Sequence, residues 1–99
     1  MEAIFRVKDA GRAGEYFQGN NGEPVPKRSV VLATRIIKQT DLGPTAVEQE
    51  LVADLVGERA QRFDAQVGDM IVATLRFSVR QHEGRYYQDI RMVRYATYD

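Results

Sequence analysis

The chain of 99 residues contains no cysteine. That removes any disulfide framework and any thiolate metal site, and it leaves the redox compartment unspecified. There is one histidine, His82, so no second imidazole is available to build a metal site with it, and no Asp/Glu cluster shows metal-ligand spacing. Neither sign of charge is in excess. Fourteen Lys and Arg balance fourteen Asp and Glu, which argues against a protein whose whole surface holds phosphate backbones. No apolar run approaches the roughly 20 residues that cross a bilayer as a helix. The opening Met-Glu-Ala-Ile-Phe-Arg-Val alternates like a strand and lacks the apolar centre of a signal peptide. A cytoplasmic protein with no membrane partner is expected.

What the chain does contain is a long alternation. From Gly68-Asp69, the odd positions Ile71, Ala73, Leu75, Phe77 and Val79 are all apolar, while the even positions grow polar through Thr74, Arg76, Ser78 and Arg80. A period of two over this length is a strand, because successive side chains point to opposite faces. Gln81-His82-Glu83-Gly84 supplies a turn, and Arg85 to Tyr98 returns as a strand rich in tyrosine, isoleucine and valine. By parity, Ile71, Leu75, Phe77, Val79 and Ile90 are expected in the core with Leu51, Leu55 and Phe63.

The remaining elements follow in order. Glu2 to Lys8 alternates as a first strand. Asp9 to Ser29, with its glycines, asparagines and prolines, reads as a long loop, or a strand continuation followed by a loop. Val30 to Ile37 is a second strand and Lys38 to Ala46 a turn. Val47 to Val56 fits either a helix or a strand by periodicity. Glu58 to Phe63 reads as a short helix, and Gln66 to Asp69 turns into the hairpin. With Leu51 to Val56 taken as a strand, the order is that of an all-β, five-stranded OB-fold barrel with one short helix between the third and fourth strands. A five-strand sandwich is the alternative, though it leaves the helix unexplained. Length and composition fit one domain over residues 1–99.

Charge is unevenly spread. Residues 1–40 carry seven basic and four acidic side chains, residues 41–64 two and six, and residues 65–99 five and four. The last five are Arg76, Arg80, Arg85, Arg91 and Arg94, all in the hairpin. Binding a single strand requires a positive groove and aromatic platforms for the bases. The candidates are Arg76, Arg80, Arg85, Arg91, Tyr87 and Tyr95, with His82 at the hairpin tip and Tyr16 and Phe17 in the first loop. Tyr87, Asp89, Arg91, Val93 and Tyr95 have one parity and are expected on one sheet face. Solvated surface arginines and cross-strand packing tyrosines would give the same pattern.

Leu51 to Glu58, Phe63, Val67-Gly68-Asp69 and Glu83 to Arg91 together resemble a small uncharacterised bacterial family of OB-fold domains. More distantly, they resemble bacterial single-stranded-DNA-binding proteins. The likeness covers roughly residues 28–96. It implies a binding partner of single-stranded DNA or RNA. It also places Val56 where those proteins stack a base on an aromatic, and His82 where they have a second one. No cofactor is expected. A catalytic reading has little to stand on, since His82 and Glu83 at a hairpin tip lack the desolvation that tuned acid–base work needs. The competing reading is an oligomerisation or protein-interaction module, with Met70, Val72 and Val56 forming an interface on the outer faces. A homo-oligomer is expected under either.

Overall fold

The computed structural model of the chain describes residues 1–12, 15–18 and 24–98, residues 15–18 as backbone only. These form β1 (Glu2–Asp9), β2 (Glu15–Gln18), β3 (Pro24–Thr40), β4 (Gly43–Val56), α1 (Glu58–Arg62), β5 (Met70–His82) and β6 (Arg85–Thr97). The first half of β1 pairs antiparallel with β5, from Glu2 opposite Thr74 to Arg6 opposite Met70. Its second half pairs with β3, from Arg6 opposite Ala33 to Asp9 opposite Val31, with the register slipping between Val7 and Asp9. Such an irregularity bends a strand and lets it serve two partners. Antiparallel pairs β3–β4 and β5–β6 complete the wall. A single parallel bridge, Asp54 to Arg91, joins β4 to β6. The ring β1-β5-β6-β4-β3 therefore closes on itself, with β2 pairing the first residues of β3 on the edge that β1 takes further along.

Alternation fills the inside. Phe5 and Val7 from β1, Val30 and Leu32 from β3, Ala53 and Leu55 from β4, Ile71, Ala73 and Leu75 from β5, and Met92 from β6 make one buried cluster, closed below by Ala60 and Phe63. The ambiguous stretch before Val56 is a strand because it lies against β3 residue by residue, from Lys27 opposite Val56 to Thr40 opposite Gly43. Its long-range partner decides what its own periodicity leaves open.

Several expectations need correction. The stretch from Asp9 to Ser29, read as a long loop or a strand continuation followed by a loop, carries strand at Glu15–Gln18 and from Pro24 onward. The segment read as a turn over Lys38 to Ala46 is strand except at Asp41-Leu42. Pro24 opens β3, a position that tolerates a missing donor, and the β3–β4 turn shrinks to Asp41-Leu42. Both β3–β4 and β5–β6 therefore run past the barrel as two-stranded arms, giving principal extents of 55 × 39 × 19 Å. That also overturns Phe77 and Val79 as core. They keep the inward parity, but they lie on the arm beyond the last buried pair, Leu75 and Met92, and are 44% and 66% exposed. Leu51 and Ile90 pack against the core while staying partly exposed.

Two turns depend on unusual backbone. The β5–β6 arm closes in a two-residue loop in which both Glu83 (φ 51°) and Gly84 (φ 78°) are left-handed, the twist a tight hairpin requires. At the end of β4, Gly57 takes φ 72° and ψ −137°, and its N–H donates to the Pro26 carbonyl at 2.8 Å. This turn throws the chain from the barrel wall into α1. Gly57→Ala meets open space, so its cost is conformational. An expected loss of about 1–3 kcal/mol, measured by urea denaturation, checks this. Among the described residues, no helix is long and apolar enough to cross a membrane.

Candidate nucleic-acid interface

The β5–β6 register puts Arg76 opposite Arg91, Ser78 opposite Asp89, Arg80 opposite Tyr87 and His82 opposite Arg85. Residues paired directly across a sheet share a face, so these eight line one side of the arm. The other side carries Phe77, Val79 and Gln81 against Ile90, Gln88 and Tyr86. The arm is thus two-faced, basic with an aromatic on one side and largely apolar on the other. Six of the sequence candidates come together on the basic face, namely Arg76, Arg80, His82, Arg85, Tyr87 and Arg91.

The chemistry of that face is mixed. The Arg80 guanidinium lies 5.3 Å from the Tyr87 ring centre, and its Nε is 3.3 Å from Asp89 Oδ2. The cation–π contact fixes the ring against the arginine, and Tyr87 stays 40% exposed, as an aromatic platform for a base requires. At the arm's base a groove is lined by Lys27, Asp54, Val56 and Arg91 together with Arg80 and Asp89. Asp54 accepts from Ser29 Oγ at 2.7 Å and sits 3.8 Å from Lys27 Nζ. Among the described residues, no carboxylate lies within ion-pairing distance of Arg76, Arg85 or Arg91. Those three are free to take a phosphate. Arg80 and Lys27 would first have to exchange a carboxylate for it. At the tip His82 is exposed, its Nε2 3.7 Å from Glu83.

Tyr95 is elsewhere. Between Thr74–Arg94 and Leu75–Met92 the pairing skips Val93, and this bulge inverts the parity of everything after it. Tyr95 therefore does not share the face of Tyr87 and Arg91. It packs on Phe63 with ring centres 4.9 Å apart, donates its hydroxyl to the Asp64 carboxylate, and accepts from the Asp64 N–H at 3.1 Å. Burial, together with the bond to Asp64, pushes its hydroxyl above the usual tyrosine range. The neutral form is the one the fold favours, so this contribution is complete below the unfolded tyrosine value of about 10 and fades as pH rises through the raised value. The side chains of Tyr16 and Phe17 lie outside the described residues. Their backbone pairs with Val25 and Pro26.

Sequence reasoning overlooked three residues around this site. Lys27 sits at the groove because β3 begins earlier than its proline and glycine signals suggest. Arg59 belongs to an acidic segment, and its charge is hidden in that census. Arg28 points the other way and ties the barrel floor together, donating to the carbonyls of Ala10 (2.7 Å), Ala60 (3.4 Å) and Phe63 (2.9 Å) with its guanidinium 5.1 Å from the Phe63 ring centre. Among the described residues, no cluster of three or more His, Cys, Asp or Glu is arranged to hold a metal.

No family model matches the chain, and no curated protein matches it by sequence. Solved structures do. The crystal structure of the small single-stranded DNA-binding protein from Streptomyces coelicolor aligns over 98% of this chain and 91% of that one, with a TM-score of 0.56 and 16% identity. The barrel is an OB-fold. The five ring strands of this OB-fold are the expected five, and the single short helix falls between the third and fourth of them. The short β2 is an addition, paired to the start of β3 on the edge that β1 takes further along.

Proposed function

We propose that this OB-fold protein binds single-stranded nucleic acid, weakly and without sequence preference, on the basic face of the β5–β6 arm. The observation that carries the reading is the pairing that gathers Arg76, Arg80, His82, Arg85, Tyr87 and Arg91 on one side of a projecting arm. The fold shared with a small single-stranded DNA-binding protein supports it. Weakness follows from Asp54 and Asp89 within the groove and from Val56 standing where a stacking aromatic would add affinity. The partner is single-stranded DNA, with RNA the second arm of the test, and the setting is the cytoplasm. The protein acts as a binder rather than as an enzyme.

Fluorescence anisotropy with labelled oligothymidine separates the contributions. Arg91→Ala is expected to weaken binding and flatten the log–log salt dependence by about 0.7, the value of one phosphate contact on a single strand. Tyr87→Ala is expected to cost about 1–3 kcal/mol with the slope unchanged, since stacking releases no counterions. Variants that bind as wild type does would remove the arm's basic face from the reading.

A second reading has its own observation. On the opposite side of the same arm, Val79 and Tyr86 are 66% and 73% exposed beside Phe77, an apolar row suited to a homo-oligomer contact. The two faces are back to back, so self-association through one leaves the other open.

A further inference from the structure

The groove under the arm does not end there. It is lined by Lys27, Asp54, Val56, Arg80, Asp89 and Arg91. A second depression continues it, sharing Asp54, Val56 and Arg91 and adding Arg59 and Arg76. A third takes up Val56 and Arg59 again and reaches Arg62 beside the far end of β6. Val56 belongs to all three. The run follows the seam between β4 and β6, where a single bridge, Asp54 to Arg91, joins the strands. Beyond that bridge, α1 walls the opening. Ala60 is buried in the core while Arg59 and Arg62 are exposed, and the helix is held in place by Gly57 at its start and by Arg28 on the carbonyls of Ala60 and Phe63.

We propose that a bound single strand leaves the arm along this seam and that Arg59 and Arg62 of α1 bind its phosphates. This rests on the reading that the arm's basic face binds single-stranded nucleic acid, and it adds a second contact set on a different element. Among the described residues, no carboxylate is within ion-pairing distance of Arg59. Arg62 holds Glu58 at 3.0 Å in an exposed pair one helical turn apart, the weak kind that a phosphate readily replaces. The guanidinium fork suits phosphate oxygens. The one aromatic lining the third depression, Tyr95, has its ring packed on Phe63 and its hydroxyl committed to Asp64. The contact is therefore with the backbone, which adds affinity and carries no base preference.

The test uses two labelled oligothymidines, of roughly 5 and roughly 16 nucleotides, near the limits of OB-fold site sizes. The double variant Arg59→Ala/Arg62→Ala is expected to weaken binding of the longer one roughly tenfold at low salt and to flatten its salt dependence by about 1.4, for two contacts. Binding of the shorter one stays at the wild-type level. Glu58→Gln, which frees Arg62, is expected to tighten the longer ligand alone, and it guards against a variant whose helix has come loose. Wild-type affinity of the double variant for both lengths would overturn the seam path while leaving the arm reading intact. Equal loss at both lengths would also overturn it, by placing α1 within the arm's own site. A wild-type protein that binds neither length would bring down both.

Discussion

Phe5→Ala is expected to cost about 3–5 kcal/mol, the range for an aromatic removed from a packed core, and Phe77→Ala no more than about 1 kcal/mol. Both are phenylalanines at inward parity on neighbouring strands, so the contrast isolates position. Phe5 is fully buried on the strand that changes partners from β5 to β3, and its loss opens a cavity where the ring closes. Phe77 is 44% exposed on an arm with water on its open side, and the remaining side chains can close over the gap. Urea denaturation of the two variants checks the pair. If Phe77→Ala proved as costly as Phe5→Ala, the arm's apolar face would be covered in solution. The cost would then rise and fall with protein concentration, as it must when a second copy does the covering.

Arg28→Ala is expected to cost about 2–4 kcal/mol, because hydrogen bonds from a charged donor are worth more than neutral ones and the acceptors it leaves are partly buried. Two segments far apart in the chain meet on this guanidinium: Ala10, just after β1, and the stretch from Ala60 in α1 to the helix exit at Phe63. Its stacking on Phe63 adds to the hold. Arg28→Lys is expected to recover less than half of the loss, since one ammonium cannot span three carbonyls or cover a ring. Thermal unfolding of the two variants decides this. A lysine variant as stable as wild type would mean that charge alone, and not the fork, holds the floor. Because α1 is positioned by these bonds, Arg28→Ala is also expected to loosen the wall that carries Arg59 and Arg62.

These two residues show what periodicity conveys and what it does not. The alternation from Ile71 to Val79 makes β5 legible as a strand and gives its inward face. It says nothing of where the barrel stops, so Phe77 and Val79 read as core although the strand has already left it. Likewise, a parity count carried along β6 works until Val93, where one unpaired residue exchanges the faces and takes Tyr95 from the binding side to the packing against Phe63. No local residue pattern announces that bulge. The order of strands and the lone helix were legible because each is a local signal, and the strand character of Leu51 to Val56 came from the order rather than from its own residues. The basic face was legible in its members, since Arg76, Arg80, Tyr87 and Arg91 lie on two strands joined by an evident turn. Arg28 was not, because a long side chain that reaches carbonyls 18 to 35 positions away leaves no mark in its own neighbourhood. Nor was Arg59, which gains its meaning only when β4, α1 and β6 enclose one groove.

The most direct test is the salt dependence of wild-type binding to the shorter labelled oligothymidine, of roughly 5 nucleotides, read by anisotropy from low to moderate salt. Four arginines on the arm's basic face, Arg76, Arg80, Arg85 and Arg91, predict saturable binding whose log–log slope approaches about −2 to −3. That is about 0.7 for each phosphate contact, less what the Arg80–Asp89 pair withholds. No binding at low salt by a sample that is folded, or binding with a slope near zero, would contradict it.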